Sequence, residues 1–104
     1  MQATLAVDKE GFLKNLKDWN RSAAVILAQS EQLTLSTQHE ELITFLRDFY
    51  QEYQHIPKMR ALIKAIAQSL GSAKGQSTYF YQLFPGGLKQ AAKIAGLPKP
   101  PHCI

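Results

Sequence analysis

From Lys17 to about Ser30 the apolar residues Trp19, Ala23, Ile26 and Leu27 return every three or four positions, the spacing that gathers them on one helix face. Asp18 falls in the first turn of this segment, where a carboxylate suits the positive end of the helix dipole. A second stripe, Leu42, Phe45, Leu46 and Phe49, runs to about Tyr53 behind Ser36, a good N-cap preceded by Leu35. It predicts the longest and most central helix, with Glu40, Glu41, Asp48 and Glu52 on its polar flank. His39 lies in the first turn of that helix, which predicts a surface or capping role for it. Pro57 initiates a third segment through Met59, Leu62, Ile63, Ile66 and Leu70, which Gly71 ends. After the loop Ser72-Ala73-Lys74-Gly75, a short helix is expected over Ser77 to Leu83. Pro85-Gly86-Gly87 stops it, and Leu88 to Ala95 forms a last turn or two before Gly96.

The N-terminus departs from this pattern. Thr4-Leu5-Ala6-Val7 and Phe12-Leu13 flank the turn-prone Asp8-Lys9-Glu10-Gly11, a pattern compatible with a small β-hairpin ending near Leu16. The expected fold is therefore mainly α with a β component (α+β). It is an orthogonal helical bundle with a short N-terminal β-hairpin, a helix-turn-helix-like middle and an extended C-terminal arm. Residues 1–95 form its compact helical domain and residues 96–104 a mobile arm, in which Pro98, Pro100 and Pro101 block regular helix. Trp19 is expected to anchor the core. Tyr79, Phe80, Tyr81 and Phe84 sit at helical spacing, so most of them should pack inside and one or two stay exposed.

Length and composition narrow the classes. A chain of 104 residues with 45% hydrophobic content is one small domain able to form its own core. No apolar stretch approaches the roughly 20 residues that span a bilayer, and the first residues lack the basic lead and apolar core of a signal peptide. A cytoplasmic protein without membrane contact is expected. The net charge of +4 hides a segregation: residues 1–54 hold five basic and eight acidic side chains, whereas from His55 onward there are seven basic and no acidic ones. Such a half attracts an anionic partner, either RNA or an acidic protein surface. One reading is thus a small basic DNA- or RNA-binding regulator of helix-turn-helix type, although three arginines in the whole chain specify no base-reading face.

The lone cysteine supplies the other reading. Cys103 stands next to last, behind the proline-rich arm, where a thiol can be presented to partners. Lys99 and His102 are candidates to favour its thiolate or to recognise a partner, while the terminal carboxylate opposes the anion. Arg60, Lys64, Lys89 and Lys93 are candidates for a basic docking field. One thiol forms neither an internal disulfide nor a thiolate metal cluster. No Gly-rich phosphate loop and no acid near His102 for a hydrolase triad is present, and no cofactor or metal is expected.

Phe84-Pro85, Lys89-Gln90-Ala91, Lys93-Ile94-Ala95-Gly96-Leu97-Pro98-Lys99-Pro100 and the penultimate Cys103 resemble the ending of the TusE/DsrC family. The resemblance extends upstream through Gly11-Phe12-Leu13, Asp18-Trp19, Phe45 to Tyr50, Pro57, Arg60, Lys64, Lys74-Gly75 and Tyr79. It implies a sulfur carrier that is mostly helical, with an N-terminal hairpin and a mobile arm. Members related to DsrC bear a second cysteine, and Ala92 stands at the matching position here. The chain instead resembles TusE. This implies that Cys103 takes persulfide sulfur from an upstream Tus-type sulfurtransferase complex and passes it to a downstream thiouridylase acting on the tRNA wobble uridine. The turn Phe84-Pro85-Gly86-Gly87-Leu88-Lys89 is one residue shorter than the family's and lacks its second proline, and Glu40 replaces an aromatic residue. A DsrC-like protein serving another sulfur pathway is therefore the alternative within the resemblance.

Overall fold

A computed structural model describes residues 6–100. Five α-helices follow one another: α1 (Arg21–Ser30), α2 (Thr37–Tyr53), α3 (Met59–Leu70), α4 (Ser77–Leu83) and α5 (Gly87–Ile94). As the apolar stripe predicts, α2 is the longest, with 17 residues. Its start is fixed by a capping box. The Ser36 hydroxyl accepts the His39 amide, and the His39 ring accepts the Ser36 amide in return. The helix α1 starts four residues later than the periodicity suggests. Leu16–Asp18 is a single 3-10 turn capped by Asn15, the chain is extended at Trp19, and Asn20 caps α1 by accepting the Ala23 amide at 2.8 Å.

The expected β component is corrected. The protein is an all-helical bundle, and among the described residues there is no strand. Thr4 and Leu5 lie outside the described residues. What stands at the hairpin position is a tight turn closed by one isolated antiparallel bridge between Val7 and Leu13. The Asp8 carboxylate accepts the amides of Glu10 and Phe12 at 2.9 Å each, which locks the turn with a side chain. Beyond the Lys14 amide, which bonds the Ala6 carbonyl at 2.9 Å, Asn15 turns the chain into the 3-10 segment. Among the described residues the pairing ends there.

Helix α5 packs against α1 and α2, and its inner face, Leu88, Ala91, Ala92 and Ile94, is buried among Leu27, Leu42, Leu46, Leu62 and Ile66. Small residues on α5 let the neighbouring backbones approach closely. Phe80 and Phe84 on and after α4 are fully buried, Tyr79 is half-buried and Tyr81 is exposed, the division the helical spacing predicts. Trp19 packs on the edge of this core.

Candidate functional site

Pro101, His102 and Cys103 lie outside the described residues. The site that can be built is the ground from which they leave, residues 94–100. Helix α5 ends in a Schellman motif. Gly96 adopts φ +72°, the Leu97 amide bonds the Ala92 carbonyl at 2.9 Å, and the Gly96 amide bonds Lys93 at 3.1 Å. Glycine is required here twice over, because a Cβ at residue 96 would also stand 2.3 Å from Trp19 Cδ1.

Two carbonyls at the end of α5 receive side-chain donors from distant elements. Trp19 Nε1 donates to the Ile94 carbonyl at 2.9 Å, and Arg47 Nη1 on α2 donates to the Ala95 carbonyl at 2.7 Å. The two donors also brace each other, with the Arg47 guanidinium 4.1 Å from the Trp19 ring centroid. Arg47 is half-buried, and no carboxylate lies within ion-pair distance of it among the described residues. Burial pushes its pKa down, against the opposing pull of the nearby Asp48 charge. Beside it opens a cleft of about 400 Å³ bordered by Leu16, Lys17, Arg47, Gln51, Gln54 and Leu97.

Further along, Leu97 and Pro100 are buried whereas Pro98 and Lys99 are exposed. Lys99 does not stand free: its Nζ lies 3.1 Å from Glu10 Oε1, and the same oxygen accepts Lys89 at 3.1 Å. Hydrogen bonds from Lys99 and then Lys89 hold the Glu10 carboxyl below its ordinary range. Glu10 sits in the N-terminal turn, so that turn and the tail root are tied together.

The other basic candidates divide into two groups. Lys93 is largely covered and bonds Glu31 at 2.6 Å, and Lys89 bonds Glu10, so both are engaged within the fold. Arg60 and Lys64 are exposed on α3, one turn apart, with no ion pair among the described residues. His39 is buried, not on the surface. Its Nε2 bonds the Leu83 carbonyl at 2.7 Å, so Nε2 holds the proton and Nδ1 accepts from Ser36. Both ring nitrogens are engaged: Nδ1 closes the cap of α2, and Nε2 joins α2 to the end of α4. Ala92 is fully buried. Among the described residues no cluster of three His, Cys, Asp or Glu side chains could hold a metal, and no helix is long and apolar enough to cross a membrane. The tail-root anchors Trp19 and Arg47 are residues to which sequence reasoning assigned no site role.

The described residues form a small helical body whose last helix ends in a clasped tail root. The chain belongs to the TusE/DsrC family of sulfur-relay proteins, because the family model described as DsrC like protein matches residues 1–104. It is 52% identical over 101 residues to sulfurtransferase TusE of Photorhabdus laumondii, covering 96% of this chain and 91% of that protein. It is 48% identical over 101 residues to sulfurtransferase TusE of Escherichia coli, covering 96% and 93%. Among solved structures, the NMR structure of Allochromatium vinosum DsrC is similar with TM-score 0.86 and 48% identity, over 96% of this chain and 90% of that one. The oxidized gamma-subunit of the dissimilatory sulfite reductase (DsrC) from Archaeoglobus fulgidus is similar with TM-score 0.83 and 33% identity, over 96% and 92%.

Proposed function

We propose that this protein accepts a persulfide sulfur on Cys103 and passes it to a downstream thiol in a cytoplasmic relay. The end point is 2-thiolation of the wobble uridine of tRNA. The observation that carries this reading is the single cysteine, placed next to last in a chain that a DsrC-like model matches from end to end. The Cys103 thiolate attacks the outer sulfur of a donor persulfide R-S-SH. A new S–S bond forms to Cys103, the donor S–S bond breaks, and its electron pair leaves on the donor thiolate, giving Cys103-S-SH. No net oxidation or reduction occurs. A downstream thiolate then attacks the same outer sulfur, and the Cys103 thiolate leaves in turn.

Ala92 supports a one-thiol cycle. With no second cysteine in the chain, the loaded sulfur cannot be resolved internally and must leave with a partner. The donor is an upstream Tus-type sulfurtransferase complex and the acceptor a tRNA thiouridylase with its tRNA. Of the basic docking candidates, exposed Arg60 and Lys64 are the pair left to meet an acidic partner surface, because Lys89 and Lys93 are spent on internal carboxylates. Lys99 is shared with Glu10, which tempers its pull on the thiolate, and His102 retains its role as a tuning residue in this proposal. The decisive experiment is intact-mass analysis after incubation with a persulfide donor. One added sulfur is expected on the unaltered protein and none on Cys103→Ser. Equal loading of both would end the reading.

A further inference from the structure

We infer that Trp19 and Arg47 are positioning residues for sulfur transfer, fixing the point at which the Cys103-bearing tail leaves the body. The inference rests on the reading of Cys103 as the sulfur-accepting thiol. The last carbonyls of a helix have no partner within it and are ordinarily left to water or to the capping turn. In α5 the Schellman motif satisfies Ala92 and Lys93, while Ile94 and Ala95 are taken by donors lying 75 and 48 positions earlier. Both partners are polar groups drawn into partial burial. For Arg47 this places a half-buried guanidinium, with no carboxylate at ion-pair distance among the described residues, against the negative end of a helix. A methionine could fill the same space without that desolvation, so packing alone does not account for the choice. What the two donors do, which apolar side chains could not, is fix the direction of the backbone at residues 94–95.

The effect on reach can be estimated. With residues up to Pro100 held, three residue steps separate the last buried position from Cys103, a span of at most about 10 Å at roughly 3.5 Å per extended residue. If the root were released beyond Ile94, nine such steps would separate body and thiol. Effective concentration falls roughly as the −3/2 power of tether length, so tripling the tether lowers it about fivefold. Trp19 and Arg47 start this hold at residues 94–95, buried Leu97 and Pro100 and the Lys99–Glu10 pair continue it, and together they shorten the tether and oblige a partner to present its thiol close to Pro100.

The test compares the unaltered full chain with Trp19→Phe, Arg47→Met and Arg47→Lys. Trp19→Phe keeps an aromatic ring and removes one donor; Arg47→Met keeps the stem. Amide hydrogen exchange at Gly96 and Leu97 should speed about tenfold or more in Trp19→Phe and Arg47→Met, with partial recovery in Arg47→Lys, which retains one donor and the charge. Transfer from a Tus-type sulfurtransferase complex should show kcat lowered about fivefold at unchanged KM, because docking is untouched and presentation is not. Loading of Cys103 by inorganic polysulfide, which needs no docking, should stay within twofold of the unaltered protein. Unchanged exchange, or faster exchange with unchanged kcat, would overturn the inference. If Arg47→Met fails to fold in a thermal melt, Trp19→Phe decides. An unaltered protein that takes sulfur from neither source would instead refute the carrier reading, and the exchange at Gly96 and Leu97 would still decide whether these side chains hold the root.

Discussion

His39 shows how a residue type associated with proton chemistry is committed to structure. Its Nδ1 is occupied by Ser36 and its Nε2 by the Leu83 carbonyl, and its ring meets Phe84 edge-on with centroids 5.1 Å apart. Truncation leaves a partly buried carbonyl and a helix-start amide without their His39 partner, and an unsatisfied group shielded from water costs more than the bond alone. His39→Ala should lower the unfolding free energy by about 1–3 kcal/mol in urea titrations. His39→Gln, which can still donate toward Leu83, should recover part of this loss. Sulfur loading of Cys103 in folded His39→Ala should equal that of the unaltered chain, since both ring nitrogens are engaged within the helical body.

At the scale of elements, α2 was legible because two signals agree: a Ser36 cap and a stripe that holds helical period to Tyr53. The start of α1 was not, because Trp19 and Ala23 keep helical spacing across a break that only the Asn20 cap marks. The apolar stretches flanking residues 8–11 predict a hairpin, and Val7 and Leu13 do face each other, but the Asp8 side chain closes a turn and Asn15 starts a 3-10 segment, so one bridge and no ladder forms among the described residues. The thiol of the candidate site was legible; the clasp at its root was not. Trp19 and Arg47 bond to backbone carbonyls, which every residue possesses, so no pattern of residue types announces them. The joint between α1 and α5 also sets a pH response. Lys93, bonded at 2.6 Å, holds the Glu31 carboxyl below its ordinary 4.5, with Gln90 adding to this and burial opposing it. A carboxyl depressed in the folded state contributes stability that is complete above its unfolded pKa and is lost as pH falls through the lower folded value. Chemical unfolding should therefore show a stability plateau at neutral pH that declines below about 4.5, and Glu31→Gln should make that decline shallower.

For the whole molecule, the segregation of charge along the chain is largely answered within the fold. Lys74 meets Glu41, Lys89 and Lys99 share Glu10, and Lys93 meets Glu31, so four of the seven basic residues of the second half pair with carboxylates of the first. Lys58, Arg60 and Lys64 are the cations of that half left without an ion pair among the described residues. With Lys9, Lys14 and Lys17 of the first half, six exposed cations stand outside ion pairs among the described residues, and each phosphate neutralised contributes about 0.9 to the salt dependence of duplex binding, so a titration against DNA should show a log–log slope no steeper than about 5. A slope near 8 would mean that the internal pairs open and that nucleic acid is a true partner. The shared carboxylate of Glu10 has one more outcome, in the order of biosynthesis. Its two amines arrive about eighty and ninety residues after it leaves the ribosome, so no nascent chain shorter than Lys99 can close this clasp. Completion of the anchor and emergence of the thiol thus fall within the same few seconds of translation.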